Sequence, residues 1–214
     1  MNSRQKILAV VAVATIIVAG FLIGKRYVNP GVKDTLGLKT VGEVAADETS
    51  RLLDGKGRIA VIKVESGLGQ PTELIWRGFA AALKKQTGIQ VVAEEIVPGS
   101  PANTSAHVRE VILKHSALAA VVLLGGSGDV QFTTLKDLPA PQPRLVSVLT
   151  FDLGQAVHLF EGGILVLGIA ERPIGKRDPA LLSSFETQYA VVTAETVKSV
   201  KEELGKKPTE DFVP

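Results

Sequence analysis

Cysteine is absent from the 214-residue chain. That removes disulfides, thiolate zinc sites and cysteine nucleophiles, and leaves the compartment open. A basic cluster is missing too. Of the 24 Lys and Arg residues, four (Arg4, Lys6, Lys25, Arg26) flank the apolar N-terminus. The other 20 face 22 acidic residues, a net of −2 for the rest of the chain. A nucleic-acid binder needs a basic patch or stripe, so nucleic acid is not an expected partner. Catalytic signatures are also lacking. There is no Gly-x-Ser-x-Gly elbow, and no base is placed to activate Ser66 or Ser127. The loop Gly125-Gly126-Ser127-Gly128 lacks the Gly-Lys-Ser/Thr ending of a phosphate loop, and Gly-x-Gly-x-x-Gly is absent. Its amides could still cradle an anion. Paired acidic residues at the end of the first strand, which a response regulator needs, are missing. His107 and His115 are eight residues apart rather than four, so with His158 they point to surface or interface roles and not to a zinc pair. No enzyme, cofactor or metal is expected, and no internal repeat is visible.

What is present is a folded core and one long apolar run. Hydrophobic residues make up 45% of the chain, which suits a domain of about 150 residues behind a membrane segment. Ile7 to Ile23 is uncharged, includes Ile16, Ile17 and Phe21, and reaches the short end of the roughly 17–25 residues that span a bilayer. A cleaved signal peptide is the rival reading. However, Phe21-Leu22-Ile23 stand where small residues should precede the cut, and Lys25-Arg26 follow directly. A buried-core helix would show a polar face, and this segment has none. The expectation is an uncleaved anchor. Positive charge on both flanks leaves orientation open, and a cytoplasmic N-terminus with an exported domain is the more economical choice.

The rest of the chain is organised around Val41 to Gly88. A helical pattern starts at Thr40 and leads through Gly55-Lys56-Gly57 into an apolar strand, Ile59 to Val64. A Gly-containing loop follows, then a helix with Pro71 in its first turn and an inward face of Ile75, Phe79, Ala82 and Leu83. Trp76 beside that stripe reads as half-buried packing. Val91 to Val97 is the next strand, completing a strand–loop–helix–strand unit of a parallel sheet. Further on come a helix over Ala102–His115, a strand over Ala119–Leu124 and a Pro-rich connection over Leu138–Pro143. A strand over Leu145–Leu149, a helix over Asp152–Phe160, strands over Ile164–Ile169 and Tyr189–Thr193, and a helix over Glu195–Leu204 complete the chain. The strands are nearly continuous in apolar residues, as in sheets covered on both faces. The expected fold is α/β: a single three-layer αβα lobe with a mostly parallel sheet, preceded by one transmembrane helix. The boundaries are 1–26 for the anchor, 27–39 for a tether, 40–204 for the lobe and 205–214 for a polar tail.

The stretches VGEVAADETSRLLDGKGRIAVI, RGFAAALKKQTGIQVVAEE, LAAVVLLGG, VSVLTFD, FEGGILVLGIAERP and YAVVTAETV, taken in that order, resemble the C-terminal lobe of type I periplasmic sugar-binding proteins. That group includes ribose- and galactose-type receptors and the ligand domains of lactose-repressor-like regulators. The resemblance implies a half of a two-lobed binding protein, with the N-terminal lobe replaced by anchor and tether. It also implies three polar ligand positions. The family's arginine is matched by Ile75, its Asn-Asp pair by Gly125-Gly126, and its aspartate after the fourth strand by Asp152, so one of the three survives. An unpaired buried polar group costs on the order of 1–3 kcal/mol, so losing two anchors and a lobe argues against tight sugar binding.

Ligands of open α/β sheets sit beyond the carboxyl ends of the strands. The candidates for a ligand or partner-contact edge there are Glu65, Ser66, Gln70, Ser127, Asp129 and Asp152. Glu65, Asp129 and Asp152 could converge as an acidic cluster for a cation or polyol, or could cap helices and stay solvated. The sequence therefore leads to a non-enzymatic, single-pass protein of the inner membrane, anchored through Ile7, Ile16, Ile17, Phe21 and Ile23, with its lobe on the periplasmic side. The lobe is expected to dock on a membrane protein complex or on itself. The alternative is a sugar or polyol sensor, or a transporter accessory, keeping residual binding through Glu65, Gln70 and Asp152.

Overall fold

The computed structural model describes residues 37–65, 70–98, 101–115, 117–125, 142–172 and 185–205, all within the unit Leu36–Pro214. The expected anchor over Ile7–Ile23 lies outside the described residues, as do Ser66, Ser127, Asp129 and the polar tail from 206 onward. Of Glu65 and Gln70 only the backbone is described. Among the described residues no helix is long and apolar enough to cross a membrane.

In chain order the elements are α1 (Leu38–Leu52), β1 (Gly57–Glu65), α2 (Gln70–Leu83), β2 (Ile89–Pro98), α3 (Pro101–Lys114) and β3 (Ala120–Leu124). They continue with β4 (Arg144–Val148), α4 (Leu153–Glu161), β5 (Leu167–Glu171), α5 (Phe185–Gln188), β6 (Tyr189–Val192) and α6 (Val197–Gly205). Six strands form one sheet in the order β2-β1-β3-β4-β5-β6. The pairs from β2 to β5 are parallel, and β6 runs antiparallel to β5. The expected α/β lobe with a mostly parallel sheet is therefore what the chain forms.

The apolar runs follow from burial on both faces of the sheet. Ile59 and Val61 of β1, with Ala120, Val122 and Leu124 of β3, pack under α1 and α2 through Val41, Ala45, Ile75 and Phe79. Ala60, Ile62 and Val64, with Val121 and Leu123, pack under α3, α4 and α6 through Val108, Val111, Val157 and Val200. The chain steps one way from β1 to β2 and back from β2 to β3. Crossovers of one hand then place α2 and α3 on opposite faces.

Element ends differ from the sequence expectation where a cap claims residues. α1 starts at Leu38, two residues ahead of Thr40. It closes in a Schellman motif, with Asp54 at φ 52° and Gly55 N donating to Ser50 O at 2.8 Å. The strand expected over Ile164–Ile169 begins only at Leu167. Gly163 at φ 68° turns the chain so that Ile164 N donates to Leu159 O at 3.0 Å, making Ile164 part of the cap of α4. β4 stops at Val148 because Leu149 takes φ 55°. The last helix starts at Val197 rather than Glu195, since Thr193 Oγ1 accepts from Glu195 N and Thr196 N and holds that stretch as a turn.

Candidate functional site

The strand order reverses between β1 and β3, which is where an open sheet of this kind presents its ligand crevice. Two threonines bond the main chain at these strand ends. Thr72, in the first turn of α2, donates through Oγ1 to Val64 O at the end of β1, 3.2 Å away. Gly125, just past β3, takes φ +69° and donates through N to Val148 O at 2.8 Å. Thr150 Oγ1 donates to Gly125 O at 3.0 Å. Both threonines are buried, and each hydroxyl proton is spent on a main-chain carbonyl.

This arrangement leaves no room for a side chain at 125. A Cβ there would lie 2.3 Å from Thr72 Oγ1 and 3.1 Å from Thr72 Cβ, far inside contact distance. Glycine at 125, where the resemblance leads one to expect an Asn-Asp pair, is thus required by both its left-handed φ and its neighbour. Ile75, expected from the resemblance to stand in place of a ligand arginine, is fully buried against the sheet among Val41, Phe79 and Val61. It is a core residue and cannot reach a ligand. The surviving aspartate, Asp152, is exposed at the N-cap of α4, where its Oδ1 accepts from Gln155 N at 2.8 Å. It does there what an N-cap aspartate does anywhere, satisfying an orphan helix donor. The helix-capping alternative therefore holds for Asp152. Strand order sets Glu65 and Asp152 at the ends of β1 and β4, two strand spacings or about 10 Å apart across the sheet. Asp129, the third member of the acidic cluster, lies outside the described residues.

The histidines do not gather. His107 stands 3.6 Å from Glu95 and 3.9 Å from Glu110, while His158 is exposed on α4. Among the described residues no group of three His, Cys, Asp or Glu side chains could hold a metal ion.

One constellation escapes sequence reading. Lys63 sits in the apolar run of β1 with a side chain only 10% exposed. Its Nζ is 2.7 Å from Glu94 Oε1 on β2, 4.0 Å from Glu73 Oε2 and 5.5 Å from the centroid of the Trp76 ring. Trp76 itself stacks on Phe79 at 6.1 Å between centroids, the packing role expected of it. A lone lysine inside an otherwise apolar strand was the available signal. Its partners come from β2 and α2, and only the fold brings them there.

No protein-family model and no curated protein matches this chain. Solved structures do match. A sugar-binding protein of a sugar ABC transporter from Bacillus halodurans aligns at 19% identity with a TM-score of 0.58, over 76% of this chain and 64% of its own. An arabinose-binding protein from Geobacillus stearothermophilus aligns at 21% identity and TM-score 0.59, over 76% and 63%. A solute-binding protein from Actinobacillus succinogenes, solved with bound D-allose, aligns at 14% and 0.60, over 77% and 61%. The chain spans less than two thirds of the length of each. These neighbours are solute-binding proteins, and at such identities the likeness is one of fold. The described part of this chain has the fold of a lobe of the type I periplasmic sugar-binding proteins.

Proposed function

We propose that this chain is a non-enzymatic, membrane-anchored accessory subunit whose sugar-binding-protein-like lobe docks on protein rather than gripping a sugar. One observation carries the reading: at the ends of β1 and β3 the hydroxyls of Thr72 and Thr150 are bonded to main-chain carbonyls, and Gly125 has no room for a side chain. The family's polar anchors are replaced there by a buried isoleucine and a glycine that tolerates no side chain. In this reading Ile7–Ile23 holds the lobe at the inner membrane, on the extracytoplasmic side. Tethering to a surface raises the effective concentration of the lobe for a membrane partner.

The test is made on native membranes, solubilised gently and captured through a C-terminal tag. A stoichiometric assembly with unrelated membrane subunits, or a homo-oligomer, is the expected result. A chain that travels alone as a monomer overturns the proposal. A second reading, a sugar or polyol sensor or transporter accessory, draws on neighbours that bind arabinose and D-allose by name and on the position of Asp152 beyond β4.

A further inference from the structure

The outer edge of the sheet offers a surface that none of the above uses. β2 pairs with β1 on one side and, among the described residues, with no strand on the other. The outward half of its backbone N–H and C=O groups therefore faces no strand. Beside it runs a groove of about 510 Å³, whose lining includes Trp76 and Leu83 of α2, Ile89 and Val91 of β2, and the charged Lys84 and Glu94. Two of the three large hydrophobic residues exposed among the described residues, Val91 at 36% and Ile96 at 56%, lie on this one strand. Edge strands are ordinarily guarded by charge. Here Glu95 turns toward His107 and Lys114, while Glu94, 2.7 Å from Lys63, keeps a side chain 41% exposed.

Building on the docking reading, we infer that the occupant of this edge is a second copy of the same chain, its β2 laid antiparallel to the first across a two-fold axis near Val91. Charge selects that partner and that direction. Lys84 follows the end of α2 at the Ile89 end of the groove, while Glu94 lies five residues further along the strand, about 16 Å away. An antiparallel two-fold sets the Glu94 end of each copy against the Lys84 end of the other, whereas a parallel alignment sets Glu94 against Glu94. The pairing is isologous, so each copy uses its own β2 and the assembly closes at two. The opposite edge, β6, is four residues long and is left out.

The test uses the full chain in mild detergent, by sedimentation velocity over a wide concentration range. The expected species at high concentration has twice the monomer mass. Val91→Lys and, separately, Lys84→Glu should each weaken it about tenfold or more, that is by ~1.4 kcal/mol, with the thermal midpoint of the monomer unchanged. Because the chain has no cysteine, Val91→Cys introduces a single thiol next to the axis. It should cross-link to a dimer under mild oxidation much faster than Leu113→Cys on α3. A chain that is monomeric throughout, a dimer that neither charge variant weakens, or equal cross-linking at both positions would overturn the inference. Membrane capture with Val91→Lys separates the two proposals. Unrelated subunits retained by a monomeric wild-type chain, and lost in the variant, sink the second copy and leave docking in place. A β2 dimer is itself one form of docking and supports both.

Discussion

Asp152 is the residue at which a binding role and a structural role part. Its carboxylate caps α4 through Gln155 N, so Asp152→Ala should cost about 1 kcal/mol in urea unfolding, and Asp152→Asn, an equally good cap, only a few tenths. A loss of similar size in both variants would mean that the charge itself matters there. Lys63 poses the opposite problem, a cation in a nearly closed site. Glu94→Gln removes the charge 2.7 Å from its Nζ and should cost about 1–3 kcal/mol, toward the lower end because Glu94 is 41% exposed. Lys63→Met, which removes the buried charge altogether, should be close to neutral or stabilising. Chemical denaturation of the two variants separates these outcomes, and a Lys63→Met loss larger than that of Glu94→Gln would contradict the account.

The pairing of α1 with α2 depends on two glycines rather than on large side chains. A Cβ on Gly42 would lie 1.9 Å from Ile75 O, and one on Gly78 would lie 2.0 Å from Lys39 O. Backbone meets backbone at this crossing, and neither carbonyl can move without unwinding a helix turn. Alanine is the better helix former by about 1 kcal/mol, so an exposed site would be stabilised by Gly→Ala. At both of these positions the sign should reverse, with a net loss of about 2 kcal/mol or more from overpacking, read as a lowered denaturation midpoint. A gain in either variant would show that the helices stand further apart. Gly78 lies in the stretch RGFAAALKKQTGIQVVAEE, one of those that carry the family resemblance. Its role here is to admit α1, which carries the main chain of Lys39 against it.

At the scale of the whole molecule the question is whether the fold retains the activity its neighbours are named for. Saturating ligand at a hundredfold excess over Kd stabilises a native protein by about 2.7 kcal/mol. A panel of pentoses, hexoses and polyols in a thermal-shift assay should give no such shift, because Thr72 and Thr150 hold their hydroxyl protons on Val64 O and Gly125 O. A reproducible rise in melting temperature with any one sugar, lost in Asp152→Ala, would favour the sensor reading over docking. The lobe would then act through loop-end groups beyond Thr72 and Thr150.

The sequence alone determined the layers. Ala119–Leu124 is apolar on every residue and Ile59–Val64 on all but Lys63, which only a sheet buried on both faces accommodates, and the stripe of Ile75, Phe79, Ala82 and Leu83 marks the helix that covers one face. The resemblance also led to the expectation that Ile75 and Gly125-Gly126 stand where the family carries polar ligand groups. Tertiary structure decided the rest. That Ile164 caps a helix instead of opening a strand rests on one left-handed glycine, Gly163. That Gly125 cannot be anything larger depends on Thr72, 53 positions earlier in the chain and 2.3 Å from where its Cβ would stand. That β2 is an open edge depends on strand order, which reverses between β1 and β3 and leaves β2 outermost. Periodicity reports how each segment is buried. Which segments become neighbours is set by packing between residues far apart in the chain, and a local pattern does not carry that information.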